Sequence, residues 1–476
     1  MIRLFRVPLP ASTIALFAAD IVLIFFCFIF ALYFTADVAP RVFLVDDGGI
    51  WRVLLVVVVI LFGLYFHDLY QEFRIRSKIA LMQSVCVTLG AAFVLQALLS
   101  YGRSDLLLPK WDMMFGSAGV LVLLPAWRVA FSASLSGTEE DQKLLFLGAS
   151  PSVLDIIQRL EEHPELGWKP VGYLDDEPAQ ELPGIPCLGC VSSLAAVVAE
   201  HRPDRLVVAM HERRRRMPAQ ASSGTAPPSD GLPMERLLEL RTQGLFIEEA
   251  AQTYEYVLHR VSTRDLRLSD LIFSSSYGPQ PHRIIFQSLY SWVVAAILTA
   301  VTLPVMAVVA VLVKLTSPGP ILYRQTRVGL NGAPFVLFKF RSMNKDAEAE
   351  TGAVWSTKDD PRVTPLGRGL RRLRLDELPQ LFNVLRGEMS VVGPRPERPE
   401  FVQVLQTKIP YYAQRHAVKP GITGWAQINH KYGDSLDDTI VKLEYDLYYI
   451  KHGALSLDLF ILFHTFKTML LGRGAQ

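Results

Sequence analysis

Apolar residues run almost unbroken through five stretches of this chain. Elsewhere they recur with the spacing of packed helices and strands. Four of the stretches come early, at about 12–34, 51–66, 79–100 and 113–131. A helix crossing the hydrocarbon of a bilayer needs about 20 apolar residues, so each reads as a membrane helix, the second borrowing its flanks. The first is too long for an ordinary signal peptide, and no small-residue cleavage site follows it. Basic residues set the orientation. Arg3 and Arg6 precede the first stretch, Arg74, Arg76 and Lys78 separate the second and third, and Arg128 closes the fourth. The other two loops carry only Arg41, Arg103 and Lys110. A four-helix transmembrane bundle over 1–135 is expected, both its ends on the cytoplasmic side.

From 141 to 262 the pattern changes to alternating short strands and amphipathic helices. QKLLFLGAS (142–150) reads as a buried strand entering a turn of small residues, VLDIIQRLEEHP (153–164) as a helix, and DRLVVAM (204–210) as another strand. Such alternation implies a parallel sheet and resembles a Rossmann-like α/β domain. Its turn, Gly148-Ala149-Ser150-Pro151-Ser152, lacks the full G-x-G-x-x-G spacing; Asp175 and Asp176 could meet a ribose, but such acids commonly just end strands, and a structural or regulatory module is the favoured reading. Residues 211–233 are polar and rich in Pro, Ser and Gly, which reads as a flexible insertion, and its Arg213–Arg216 run as a solvated charge cluster.

The fifth apolar stretch, 284–313, would be about 45 Å long as one straight helix, well beyond a hydrocarbon core of roughly 30 Å. Pro304 interrupts it. Arg283 flanks one end and Lys314, Arg324 and Arg327 the other, so both ends prefer the cytoplasmic face. A spanning helix with a tolerated proline and a re-entrant helix that returns to its own side are both compatible with this pattern.

Half of the 476 residues are hydrophobic, which suits a membrane protein of two or three domains. Lys plus Arg is 48 against 46 for Asp plus Glu, so no bulk charge favours nucleic acid. Four cysteines make no disulfide scaffold, and the lone Cys187-x-x-Cys190 lacks the second pair a structural zinc would need.

Chemistry concentrates in LRLDELPQLFNVLRGEMSVVGPRPE (373–397). Asp376 and Glu377 follow a cluster of Arg368, Arg371, Arg372 and Arg374, and precede a short amphipathic helix ending near Gly387. Asp376 reads as the N-cap of that helix, with Pro379 tolerated in its first turn. Carboxylates, arginines and a helix N-terminus together suit phosphoryl chemistry, since the helix end attracts anions. Taken alone, an Asp-Glu pair opening a helix is more often only a cap.

Its neighbours change that assessment. YRQTRVG (323–329), FKFRSM (338–343), DPRVTPLGRGLRRLRLDELPQLFNVL (360–385), MSVVGPRPE (389–397) and KPGITGWAQIN (419–429) occur in this order. Together they resemble the bacterial sugar transferases called monotopic phosphoglycosyl transferases, over roughly residues 280–475, and the preceding part is similar to that of their large members. The resemblance implies a mixed membrane protein. The four-helix bundle and the Rossmann-like domain would be followed by an α-rich catalytic domain at 280–476. A re-entrant helix at 284–313, broken at Pro304, would anchor that domain. The pair at the break is Leu303-Pro304 where a Ser-Pro pair is common in the family.

The implied reaction moves a sugar 1-phosphate from a UDP-sugar, expected to be a UDP-hexose, onto polyprenyl (undecaprenyl) phosphate and releases UMP. It initiates exopolysaccharide, O-antigen or glycoconjugate assembly at the cytoplasmic face of the bacterial inner membrane. By this resemblance Asp376 is the nucleophile that forms a covalent phosphosugar, and Glu377 assists as acid/base or metal-orienting group. Mg²⁺ is the expected cofactor, held partly by Asp376. Lys339 and Arg341 lie two apart, so strand alternation would aim both at one face, toward phosphate, with Arg371 and Arg395 as further phosphate ligands. Gln427, Asn429 and Lys431 are candidate nucleotide contacts. Many relatives read Asn-Gly-Arg where this chain has Asn429-His430-Lys431, which loses the guanidinium fork.

Membrane lipid is the expected surroundings, and a homo-oligomer is compatible with all of this. Tyr445, Tyr448 and Tyr449 are expected to pack in the core, and 455–473 to form an interfacial helix. The residues implied in chemistry all lie after 280, so a fragment from about Pro281 is expected to retain transfer. Two other classes of function fit less well. A nucleotide-sugar oxidoreductase or epimerase would need a better glycine turn and a Y-x-x-x-K pair in the middle domain. A non-catalytic assembly scaffold would not need a complete phosphate site.

Overall fold

The computed structural model describes residues 2–4, 7–9, 11–35, 40–66, 69–70, 78–102, 106–138, 142–176, 182–209, 233–274, 277, 281–344, 360–430 and 435–470. Most of the 211–233 insertion, the basic residues Arg6, Arg74, Arg76, Arg103 and Arg473, and the candidate Lys431 lie outside them. The chain forms two compact units, one mainly Pro8–Gln142, the other mainly Lys143–Arg159 with Pro170–Gln476.

In the first unit the apolar stretches form the helices Ala11–Thr35, Gly49–Phe66, Lys78–Gly102 and Lys110–Thr138. Each contains a segment long and apolar enough to cross a membrane, as does a fifth helix in the second unit. Their shared core includes Ile24, Phe28, Val53, Ile60, Val85, Val120 and Leu124. Two polar ties join the first and fourth helices. Asp20, fully buried, pairs with Arg128 at 2.5 Å and accepts from the Tyr70 hydroxyl at 2.8 Å, while Thr35 donates to Asp112. Removing one member of a buried ion pair strands its partner's charge, at a cost of about 3–5 kcal/mol. Asp20→Ala is therefore expected to lower the unfolding midpoint in detergent sharply. An unchanged midpoint would show that Arg128 finds another counter-charge.

The α/β part of the second unit carries a five-stranded sheet in the order Cys187–Gly189, Trp168–Leu174, Gln142–Leu147, Arg205–Val208, Phe246–Glu249. Gln142–Leu147 pairs in parallel with Arg205–Val208, and Arg205–Val208 with Phe246–Glu249, as alternating strands and helices require. The turn after the first strand uses Gly148 at φ 100°. Asp175 does not reach outward for a ribose. It is buried and accepts from Ala149 N at 2.9 Å, and Asp176 accepts from Val191 N at 2.8 Å. Both acids hold loops of the domain itself.

The remainder is built around one long helix, Pro281–Thr316, with Pro304 inside it. The expected break is absent from its secondary structure, which runs through the proline. A proline here removes a single N–H and can bend a helix without ending it. An antiparallel hairpin of Leu322–Val328 and Pro334–Phe340 follows. The helices Pro365–Arg372 and Gln380–Leu385 come next. Then two short strands, Ser390–Val392 and Gly421–Thr423, pair in parallel.

Both limbs of the long helix pack on these elements. Near its start Arg283 donates to the carbonyls of Ile450 and Tyr449, and Gln287 donates to Val392 O at 3.0 Å and to the Tyr449 hydroxyl at 2.7 Å. Toward its end Met306, Val309 and Val313 pack with Phe340 and Leu370. Between the limbs Ile297, Val301, Leu303 and Val308 are exposed.

Tyr448 and Tyr449 are core residues, and the last helix is Leu455–Leu470. It buries apolar Leu457 and Ile461 and, with them, charged side chains. Asp458 and Lys467 are buried, and Leu459, Phe466 and Met469 are exposed.

Candidate active site

The site begins with a close approach of two backbones. Thr364 caps the helix Pro365–Arg372 by accepting from Gly367 N at 2.9 Å. A Cβ on Gly367 would lie 2.0 Å from Ser342 O, so only glycine lets this helix rest on the end of the hairpin. Arg371 on the same helix donates from Nε to the Ser342 hydroxyl at 3.0 Å.

Helix and carboxylate pair are then separated by a reversal. Arg374 adopts the left-handed conformation, φ 54°, and Leu375–Glu377 forms a single 3₁₀ turn. Asp376 is inside that turn, not at the N-cap of the following helix, where Pro379 stands instead. The left-handed Arg374 redirects the chain, so the helical start that the sequence suggests at Asp376 does not form.

Within the turn the two carboxylates have different surroundings. Glu377 Oε1 accepts from Lys339 Nζ and from Arg395 Nη2, each at 2.8 Å. Against the cost of burial, Arg395 and Lys339 hold its carboxyl well below the usual carboxylate range. Asp376 is buried at 7% exposure. Burial and the adjacent Glu377 charge push its pKa up, while Lys339, Arg371 and Arg395 pull the other way. A carboxylate kept ionised by two cations is a poor proton donor near neutrality, so the geometry favours an orienting role for Glu377 over acid/base work.

Lys339, Arg371 and Arg395 thus converge on the pair, but Arg341 does not. Its guanidinium donates to Val313 O at 3.2 Å, to Ser317 O and Oγ at 2.7 Å each, and to Pro320 O, so it caps the end of the long helix. Strand alternation does not reach Arg341 because the strand ends at Phe340, one residue earlier. The side chains of Gln427 and Asn429 bond locally, to Ile422 O at 3.3 Å and Trp425 O at 2.9 Å.

One residue that holds the site together was not recognised from sequence. Buried Asn383 accepts from Phe338 N at 3.1 Å and donates to Val336 O at 2.6 Å, fastening the strand of Lys339 to the helix after Glu377. An asparagine in a helix interior, where its propensity is poor, was the available signal.

Among the described residues no group of three His, Cys, Asp or Glu could hold a metal. The donor set nevertheless suits Mg²⁺, which takes one or two carboxylates and completes its shell with substrate phosphate and water. Glu377 Oε1 already accepts from two cations, so Asp376 is the carboxylate that would hold the ion.

Two family models match parts of the chain, the second running from the end of Gly49–Phe66 across two further membrane helices into the α/β domain. Residues 282–472 match the family model for bacterial sugar transferases, and 65–217 that for a CoA-binding domain. Over 173 residues the chain is 50% identical to a UDP-N-acetylgalactosamine-undecaprenyl-phosphate N-acetylgalactosaminephosphotransferase of Aeromonas hydrophila, covering 36% of this chain and 41% of that one. It is 32% identical over 330 residues to a UDP-glucose:undecaprenyl-phosphate glucose-1-phosphate transferase of Xanthomonas campestris pv. campestris, covering 67% and 65%. A Klebsiella pneumoniae protein of the same description is 33% identical over 332 residues, covering 68% and 67%. The chain therefore spans less than two thirds of the Aeromonas and Xanthomonas relatives.

Proposed function

Since the chain belongs to the bacterial sugar transferase family, we propose that it transfers a sugar 1-phosphate from a UDP-hexose to undecaprenyl phosphate, releasing UMP. The observation that carries this reading is the 375–377 turn. It buries Asp376 beside a Glu377 already neutralised by Lys339 and Arg395, so one carboxylate remains for chemistry where cations converge. Relatives differ in their sugar, glucose or N-acetylgalactosamine, and the proposal stops at the hexose class.

In the first half-reaction an Asp376 carboxylate oxygen bonds to the phosphorus that carries the sugar, and the bond from that phosphorus to the UMP oxygen breaks. An acyl phosphate on Asp376 results. An oxygen of undecaprenyl phosphate then bonds to the same phosphorus, the bond to Asp376 breaks, and the carboxylate is restored. Bringing two anions together is the main barrier, and fixed cations aimed at the developing charge lower it. Arg395 and Lys339, both bonded to Glu377, would do so, with the Arg371 charge adding to the positive field at Asp376. Mg²⁺, when bound by Asp376 and the substrate phosphates, would add further neutralisation.

The bond-forming site would lie at the cytoplasmic face of the inner membrane, with Pro281–Thr316 as a re-entrant anchor. Two features support this topology. Arg283 and Gln287 at one limb, and Val313 at the other, all bond elements of one folded unit, which cannot stand on both sides of a bilayer. The exposed middle of the helix and the outward apolar face of Leu455–Leu470 would contact lipid. Cysteines introduced next to Arg283 and next to Lys314 are expected to react with an impermeant thiol reagent from the cytoplasmic side only. Reaction from opposite sides would make the helix a true span.

The decisive test of the activity is UMP release by the full chain in membranes given undecaprenyl phosphate and a panel of UDP-sugars. Release that depends on both substrates is expected with at least one UDP-hexose. No release with any sugar would overturn the proposal.

A further inference from the structure

Four consecutive carbonyls after Gly393 are each held by a donor. Pro394 O accepts from Gly421 N at 2.9 Å, Arg395 O from Arg415 Nη2 at 3.0 Å, Pro396 O from Arg327 Nη1 at 2.9 Å, and Glu397 O from Val328 N at 2.9 Å. Prolines have no N–H, so a Pro-Arg-Pro segment can be fixed chiefly through its carbonyls. The central residue of the segment is Arg395, whose side chain grips Glu377.

Arg415 differs from the other three donors in its setting. It is buried, pairs with buried Asp446 at 2.8 Å, and donates from Nη1 to the hydroxyl of buried Tyr412 at 2.6 Å. Burying an ion pair is costly and gives little stability in return. What this pair provides is a guanidinium that cannot swing, with one arm on the Arg395 carbonyl. The helix that carries Asp446, Leu436–His452, is itself tied to the segment 254–263. Two residues before Asp446, Glu444 is buried and accepts from Thr263 N at 2.9 Å and from the Tyr254 hydroxyl at 2.8 Å.

We propose that Arg415, braced by Asp446 and Tyr412, is a positioning residue that sets the Arg395 main chain so that its guanidinium meets Glu377 and faces the phosphate at Asp376. The proposal rests on the transferase reading and extends it to residues that touch no substrate. A guanidinium lies several bonds from its own main chain, so a small rotation at the carbonyl moves it far. A misplacement of about 1 Å at a reacting centre can cost roughly 100-fold in rate.

The test uses the full chain. Arg415→Lys keeps the charge opposite Asp446 but lacks the planar fork needed to serve Asp446, Tyr412 and the Arg395 carbonyl together. It is expected to lower kcat for UMP release by about 10- to 100-fold while KM for the UDP-sugar stays within roughly threefold. Hydrogen exchange should quicken in the peptide spanning 390–398 and remain unchanged in 254–263. Because Arg415 acts through Arg395, the double variant Arg395→Lys/Arg415→Lys should be no slower than Arg395→Lys alone, within about threefold. Should Arg415→Lys fail to fold, Tyr412→Phe carries the same test at smaller amplitude, with the same exchange pattern.

Wild-type kcat, unchanged exchange at 390–398, or losses that multiply in the double variant would each overturn the inference. Quickened exchange at 390–398 in a protein that turns over no UDP-sugar would support the positioning role and overturn the transferase reading instead.

Discussion

Asp376→Asn is expected to cut UMP release by roughly a thousandfold or more, about 4 kcal/mol in the barrier, while the protein stays folded. The amide keeps the shape of the side chain but is no longer an effective nucleophile. Stability should be unchanged or slightly improved, because the wild-type carboxylate is buried beside the Glu377 charge and both features disfavour its ionised form. Active sites often keep strain of this kind at the expense of stability.

Glu377→Gln should behave differently. It removes a carboxylate that accepts from Lys339 and Arg395, and charge-assisted bonds of this type contribute about 1.5–3 kcal/mol each, so activity and stability should fall together. The pH profiles separate the two residues further. Asp376 must be ionised to attack, and its pKa is raised, so the acid limb of kcat/KM should lie above the ordinary aspartate range, activity being lost as pH falls through it. In Glu377→Gln a neighbouring negative charge is gone, so the limb of the residual activity should move to lower pH. A phosphosugar adduct trapped on Asp376, together with ping-pong kinetics, is the direct readout. Sequential kinetics with no adduct, or a fully active Asp376→Asn, would exclude the covalent route.

A fragment beginning at Pro281 is expected to be on the order of 5 kcal/mol less stable than one beginning at Ala250, although both contain the whole of 281–476. The family match begins at 282, and the sequence suggests that everything before it is dispensable for chemistry. In the structure the segment just upstream is part of the same packing unit. Tyr254, Val257, Val261 and Leu266 are buried, and Trp425 Nε1 donates to His259 O at 2.9 Å. Glu444 takes its hydrogen bonds from Tyr254 and Thr263 and lies 3.5 Å from Arg260, while Glu255 pairs with Lys451 at 2.6 Å and with His452.

Cutting at 281 removes all of these, from Trp425 and from the helix Leu436–His452, which also carries Asp446. The shorter fragment should therefore melt lower, and its residual activity should track the folded fraction. Equal melting of the two fragments would mean that the 254–266 contacts contribute little. A well-folded but inactive short fragment would mean that the upstream segment serves the active site itself.

Much of this architecture was legible along the chain because hydropathy and periodicity are local properties. Apolar runs of about 20 residues and alternating strands and helices depend only on neighbours in sequence, and they appear in the structure close to where the pattern puts them. Asp376 and Glu377 are adjacent covalently, so no folding was needed to bring them together. Lys339, inside a strand, reaches Glu377, although the register that was expected to bring Arg341 alongside it does not.

What failed, or was missed, depends on distant parts of the chain. Arg341 stands one residue past the strand end, where alternation no longer holds, and its guanidinium is taken by carbonyls about 20 to 30 residues earlier. The left-handed Arg374 turn, and with it the different surroundings of the two carboxylates, rests on the Gly367–Ser342 approach and on Arg395 crossing to Glu377. The roles of Asn383, Arg415 and Asp446 are invisible without the fold, because a buried polar side chain takes the partner that packing delivers. By itself, then, the sequence determined the elements, their order and the covalent carboxylate pair, through propensity and hydropathy that act over a few residues. Only the tertiary structure decided which cations each carboxylate faces, since desolvation and pairing are settled by long-range packing.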